Sequence, residues 1–164
     1  MAYDIYILSE DWREAEKLAK EYAKKDRGRV HEYEADLLFV YLAKKDQDEA
    51  DDLVEEIMEK IADQPSRAYM YGKIFQDKGY PRLALEAYQK AEEKNPRLNL
   101  DYQKALLYGE LGELENMYRM YVAMVEKSPN YLNTVKILLS RAITESETTD
   151  ELEFLKRELI KRIQ

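Results

Sequence analysis

Residues 79–96 read GYPRLALEAYQKAEEKNP. Ala84, Tyr88 and Ala91 recur at spacings of four and three, which is one stripe of an α-helix, while Glu86, Gln89, Lys90 and Glu93 fall on other faces. Pro96 marks where such a helix stops. Just before it, in RAYMYGKIFQDKG at 67–79, Ala68, Tyr71, Gly72 and Phe75 form a second stripe, and Asp77–Gly79 supply a turn. Two amphipathic helices joined by a short turn are therefore expected to face one another.

The string Gly72, Phe75, Gly79, Ala84, Tyr88, Ala91 and Pro96 has the order and spacing of a 34-residue tetratricopeptide repeat, and the segment resembles that family. Ala105, Tyr108, Gly112, Met117, Tyr121, Met124 and Pro129 follow the same offsets with bulkier side chains. Leu38, Tyr41, Ala50, Val54 and Ile57 fit as well, with Lys45 in place of the turn glycine and Pro65 about three residues late. Tyr3, Tyr6, Ala15, Ala19 and Tyr22 match the middle and end of a further unit. After 130, Val135, Leu138, Leu139 and Ala142 lie on one helix. Leu152, Leu155, Leu159 and Ile163 line another, which Thr148 and Glu151 open as a capping box.

The resemblance implies one all-α domain over 1–164, a right-handed α-α superhelix of about five helix-turn-helix pairs. Its units run approximately over 1–30 (truncated), 31–64, 65–97, 98–131 and 132–164. The first unit begins partway through a helix and the last helix has no polar cap. The expectation is thus a piece of a longer repeat protein, or self-association through uncapped terminal helices.

Composition agrees with this. Charged residues make up 37% of the 164, against five glycines and four prolines, a balance that suits surface helices. A chain of this length buries roughly 70% of its unfolded surface without needing staples. There is no cysteine, so disulfides and thiolate metal sites are excluded. No run reaches the ~18 apolar residues of a membrane span, and MAYDIYILSEDW has acids where a signal peptide has a basic start. A soluble protein is expected, with cytoplasm and periplasm both allowed. The net charge of −8 opposes phosphate backbones, so nucleic acid is not the expected partner.

Catalysis requires a positioned nucleophile, base or metal, and little here supplies one. His31 is the single histidine, the acidic run DQDEADD lacks the glycine and terminal glutamate of a calcium loop, and the glycines are isolated. The sequence reads as a non-enzyme with no cofactor and no metal. Segment 46–63, DQDEADDLVEEIMEKIAD, carries nine acids against Lys60 alone. With Ala50, Leu53, Val54, Ile57 and Ile61 inward, the acids solvate one helix face; the sharper alternative is a patch that steers a basic partner. Basic clusters KKDRGR at 24–29 and KRELIKR at 156–162 read as solubilising charges. Trp12 reads as a plug between helices.

In the family, first helices of successive pairs line a concave groove. The resemblance places Ala35, Phe39 and Leu42, then Tyr69, Lys73 and Gln76, then Tyr102, Gln103 and Leu106, then Asn133, Lys136 and Ile137 on it. Tyr69 and Tyr102 offer rigid faces with a polar tip, suited to gripping an extended or helical peptide. Family members that clamp a terminal carboxylate use lysine and asparagine where this chain has Phe39, Tyr69, Met70 and Gln103, so an apolar or aromatic segment is the better partner. The implied function is a protein-interaction scaffold. The alternatives are a sensor of a short free peptide and an adaptor segment of a larger protein.

Overall fold

The structure, a computed structural model, describes residues 2–145, and side chains from 5 to 138. It is all-helical, with no strand among the described residues. The helices are α1 (Ala2–Leu8), α2 (Trp12–Lys25), α3 (Val30–Lys44), α4 (Gln47–Asp63), α5 (Ala68–Asp77), α6 (Pro81–Lys94), α7 (Asp101–Glu110), α8 (Leu114–Lys127) and α9 (Leu132–Glu145). Short 3-10 turns at Arg27–Arg29, Pro65–Arg67 and Pro129–Tyr131 lead into α3, α5 and α9.

One backbone device recurs roughly every 34 residues. Glu10, Lys45, Gly79 and Gly112 all have positive φ, at 56, 60, 82 and 72°. After each, the next amide reaches back to an aromatic residue's carbonyl: Asp11 to Tyr6, Asp46 to Tyr41, Tyr80 to Phe75 and Glu113 to Tyr108, at 2.8–2.9 Å. This is the Schellman ending of a helix, which satisfies its last carbonyls and turns the chain sharply. The following helix then begins at once, with Ala15, Ala50, Ala84 and Met117 donating to Asp11, Asp46, Tyr80 and Glu113 at 3.0–3.1 Å. Lys45 therefore takes the glycine conformation although it carries a β-carbon. The late position of Pro65 has a simple cause: α4 has 17 residues where α2, α6 and α8 each have 14.

The chain divides into two compact units, Met1–Pro96 and Arg97–Gln164. In the first, α5 packs on α6, α3 packs on α4 and α5, and α4 packs on α6. Helix α2 packs on α3 as extensively as α5 does on α6, so the strongest pairing of α2 is with the helix that follows it. Trp12 meets Phe39 edge-on at 6.3 Å and Tyr22 meets Tyr33 at 5.5 Å. The Glu16 carboxylate bridges Lys20 at 2.8 Å and Lys44 at 2.7 Å, tying α2 to the end of α3. Those two ammonium groups hold the Glu16 carboxyl below its usual range, Lys20 contributing most. The core is apolar and aromatic, with Leu38, Ile57, Ile61, Tyr71 and Phe75 essentially inaccessible.

In the second unit α7 packs on α8. Ala105, Met117, Tyr118, Tyr121, Val122, Met124 and Val135 form its core, with Tyr108, Met120 and Leu138 half-buried against it. The methionines at 117 and 124 are core filling.

On α4, Ala50, Leu53, Ile57 and Ile61 are buried. Asp48, Glu49, Asp51, Asp52, Glu55, Glu56, Glu59 and Asp63 are exposed, so the acids solvate the outer face of that helix. Leu139, Ala142, the capping box at Thr148 and Glu151, the stripe from Leu152 to Ile163 and the basic cluster at 156–162 lie outside the described side chains.

Candidate functional site

The expected groove residues fall into two sets, one in each unit. In the first unit α5 exposes Tyr69 and Met70 at 44% and 43%. Tyr69 is anchored edge-on against Tyr88 at 6.3 Å, which leaves its other surface to solvent. Lys73, one turn on, is exposed and ion-paired with Asp77 within the same helix. Gln76 is half-buried, and its carbonyl accepts the Gly79 amide of the turn at 3.0 Å.

On α3 the picture changes. Ala35, expected on the groove, is buried at 1% exposure. The reason is that α3 is covered by α2, α4 and α5, so its open arc is narrower than a helix with two neighbours would have. Phe39 and Leu42 are half-buried. Phe39 sits under Trp12 with the Lys78 ammonium 6.0 Å from its ring centre, and Lys78 is paired to Asp36 at 2.5 Å. Phe39 acts first as packing between α2 and α3.

In the second unit α7 exposes Tyr102 at 40% and Leu106 at 37%. Gln103, between them, is half-buried, and its side-chain Oε1 is fully enclosed with no hydrogen-bond partner among the described residues. On α9, Asn133, Lys136 and Ile137 are exposed.

The residue stripes also bury charge, which sequence reasoning missed. Glu34 is 8% exposed on α3, and accepts from Lys60 Nζ of α4 at 2.6 Å and from the Tyr71 hydroxyl of α5 at 2.5 Å. Burial, then the Glu34 carboxylate, pushes the Tyr71 phenol well above its usual range. Asp101, 3% exposed at the start of α7, is met by Lys127 Nζ of α8 at 2.5 Å and by Lys104 Nζ at 3.5 Å. In both units the partner lysine is 26 residues after the acid. The signal was present: Glu34, Leu38 and Tyr41 share the four-and-three spacing, as do Asp101, Ala105 and Tyr108. A charged residue on an apolar stripe needs a partner, and the lone lysine of the acidic helix is that partner for Glu34.

His31 is half-buried, its ring edge-on to Tyr71 at 6.2 Å, with neither a carboxylate nor a hydroxyl nucleophile bonded to it among the described residues. No group of acids and histidines placed to hold a metal occurs among the described residues. No helix of the described residues is long and apolar enough to cross a membrane. Of the expected binding residues, those exposed are the phenols Tyr69 and Tyr102, the aliphatic Leu106 and Ile137, and the polar Lys73, Asn133 and Lys136. Neither a protein-family model nor a curated relative matches the chain.

Proposed function

We propose that the helical hairpins are tetratricopeptide-like repeats and that the protein is a binding scaffold, taking an apolar or aromatic segment of a partner protein. The observation that carries this reading is a shared register. Tyr69 is the second residue of α5 and Tyr102 the second of α7, and each is exposed directly after a buried residue, Ala68 or Asp101. Large apolar side chains left in water at the same place on two first helices, each with more apolar surface beside it in Met70 or Leu106, resemble anchors. The four recurrent turns support the repeat reading independently of the side chains.

The test is the pair of variants Tyr69→Ala and Tyr102→Ala, singly and together. Each removes exposed surface, so circular dichroism should be unchanged. Affinity for a partner recovered from the source cell should fall about tenfold or more in the double variant, as for loss of an aromatic anchor. Unchanged affinity would place the contact elsewhere, with the acidic face of α4 next to be examined; there binding would weaken steeply with salt.

A further inference from the structure

In the first unit, a cleft of about 140 Å³ lies where α3 and α5 begin, lined by Arg27, Gly28, His31, Arg67, Met70 and Tyr71 among others. The nearby carboxylates are already engaged. Asp26 accepts from the Gly28 amide at 3.1 Å and from the Tyr33 hydroxyl at 3.4 Å. Glu32 is paired with Arg29, and Glu34 with Lys60 and Tyr71. Arg67 donates from Nε to Gln64 Oε1 at 2.8 Å, and neither Arg27 nor Arg67 has a carboxylate partner among the described residues. In a chain with a net charge of −8, two arginines thus line one concave site with no carboxylate bonded to either among the described residues, although the Asp26 carboxylate lies beside Gly28.

Guanidinium groups present flat forks of N–H donors that match oxyanions, and His31 lines the same cleft. The volume is well below the roughly 300–1,000 Å³ of sites for drug-sized ligands, so it suits one tetrahedral group and a short stem. We propose that this cleft binds a phosphate-class oxyanion, either free phosphate or a phosphate monoester on a side chain. The cleft borders the Tyr69 surface through Met70, but the proposal does not rest on the scaffold reading.

The experiment is a nuclear magnetic resonance titration of the whole chain at low ionic strength, following the Gly28 amide and the His31 ring. Its arms are inorganic phosphate, a capped phosphoserine tripeptide and the same tripeptide without phosphate. Saturable shifts at Gly28 and His31 are expected with phosphate or phosphopeptide and not with the unmodified peptide. Affinity should drop about tenfold or more in R27Q/R67Q, and R27K/R67K should retain part of it. Tighter binding of the phosphopeptide than of phosphate would identify a modified side chain as the source; equal binding would identify the free anion. Should R27Q/R67Q lose helix content, R27Q alone carries the comparison, since Arg27 is exposed. Absence of a saturable shift, or equal affinity in the glutamine variants and the parent, overturns the site.

Discussion

The phenol ring of Tyr88 occupies the space into which a β-carbon on Gly72 would project. Such an atom would lie under 3.0 Å from two ring carbons and from the hydroxyl oxygen. Tyr88 is 3% exposed, so its ring can give way only by displacing packed neighbours. Replacing a helix-interior glycine by alanine ordinarily gains about 1 kcal/mol, whereas forcing an extra carbon into a filled core costs about 1–3 kcal/mol. The clash should win. Gly72→Ala is expected to lower unfolding free energy by about 1–2 kcal/mol in urea titrations. Adding Tyr88→Ala should cost less than the separate losses combined.

The turn at Lys45 carries a lysine with φ of 60°. Lys45→Gly relieves the strain of a β-carbon there and should raise stability by about 1 kcal/mol. Gly79→Ala, at φ 82°, should lower it by a similar amount, although the space beside that glycine is open. Equal thermal midpoints for both variants and the parent would mean that the turns carry no such strain.

The buried acids predict unequal effects of equivalent lysines. Lys60 compensates Glu34, whereas in the next hairpin the matching position is Ala68, and Lys94 stands where its lysine would be. Lys60→Met leaves Glu34 without its cation and should cost about 2–4 kcal/mol, somewhat below a fully buried pair because Lys60 is 28% exposed. Lys94→Met, on an exposed side chain, should change stability by no more than about 0.5 kcal/mol. Chemical denaturation of the two variants side by side gives the comparison.

Alkali should unfold the protein through its tyrosines. Tyr71, Tyr88 and Tyr121 all have phenols raised above the ordinary 10.0, each mainly by burial. A raised folded value means the unfolded chain loses its proton first. Stability is therefore full below pH 10 and declines as pH rises through the folded values. Lys60, also raised, acts in the same direction above 10.5. Tyr71→Phe should flatten the decline, measured as the slope of unfolding free energy between about pH 10 and 11.

Gln103 predicts a gain. Its enclosed Oε1 has no partner among the described residues, and an unsatisfied buried acceptor costs about 1–3 kcal/mol. Gln103→Met keeps the length of the side chain and removes the acceptor, so the thermal midpoint should rise. A fall would show that the amide is satisfied when the protein is in water.

The spacing of small and aromatic residues was enough to read helices and turns in the sequence, because one apolar stripe per helix is a local property. Ala84, Tyr88 and Ala91 behave as that spacing requires, and all are buried. Which positions stay exposed was less legible. Ala35 was misplaced because its burial depends on how many helices surround α3, which no spacing within α3 records. Tyr69 and Tyr102 were found in exposed places because they adjoin the stripe on less enclosed helices. The charges on the stripe, Glu34 and Asp101, share its four-and-three spacing but are invisible to a stripe defined by small and apolar residues alone. The arginine-lined cleft joins residues 27–31 to 67–71, so nothing short of the packing of α3 on α5 reveals it.

The Schellman turns have a kinetic consequence. Each joins a helix to its immediate successor, and α5 with α6 and α7 with α8 are hairpins that close over a few tens of residues. Little chain entropy is lost before such contacts form, which is the condition for folding in microseconds to milliseconds. A hairpin of this kind can begin to collapse on the ribosome as soon as its second helix has emerged, before the rest of the polypeptide exists.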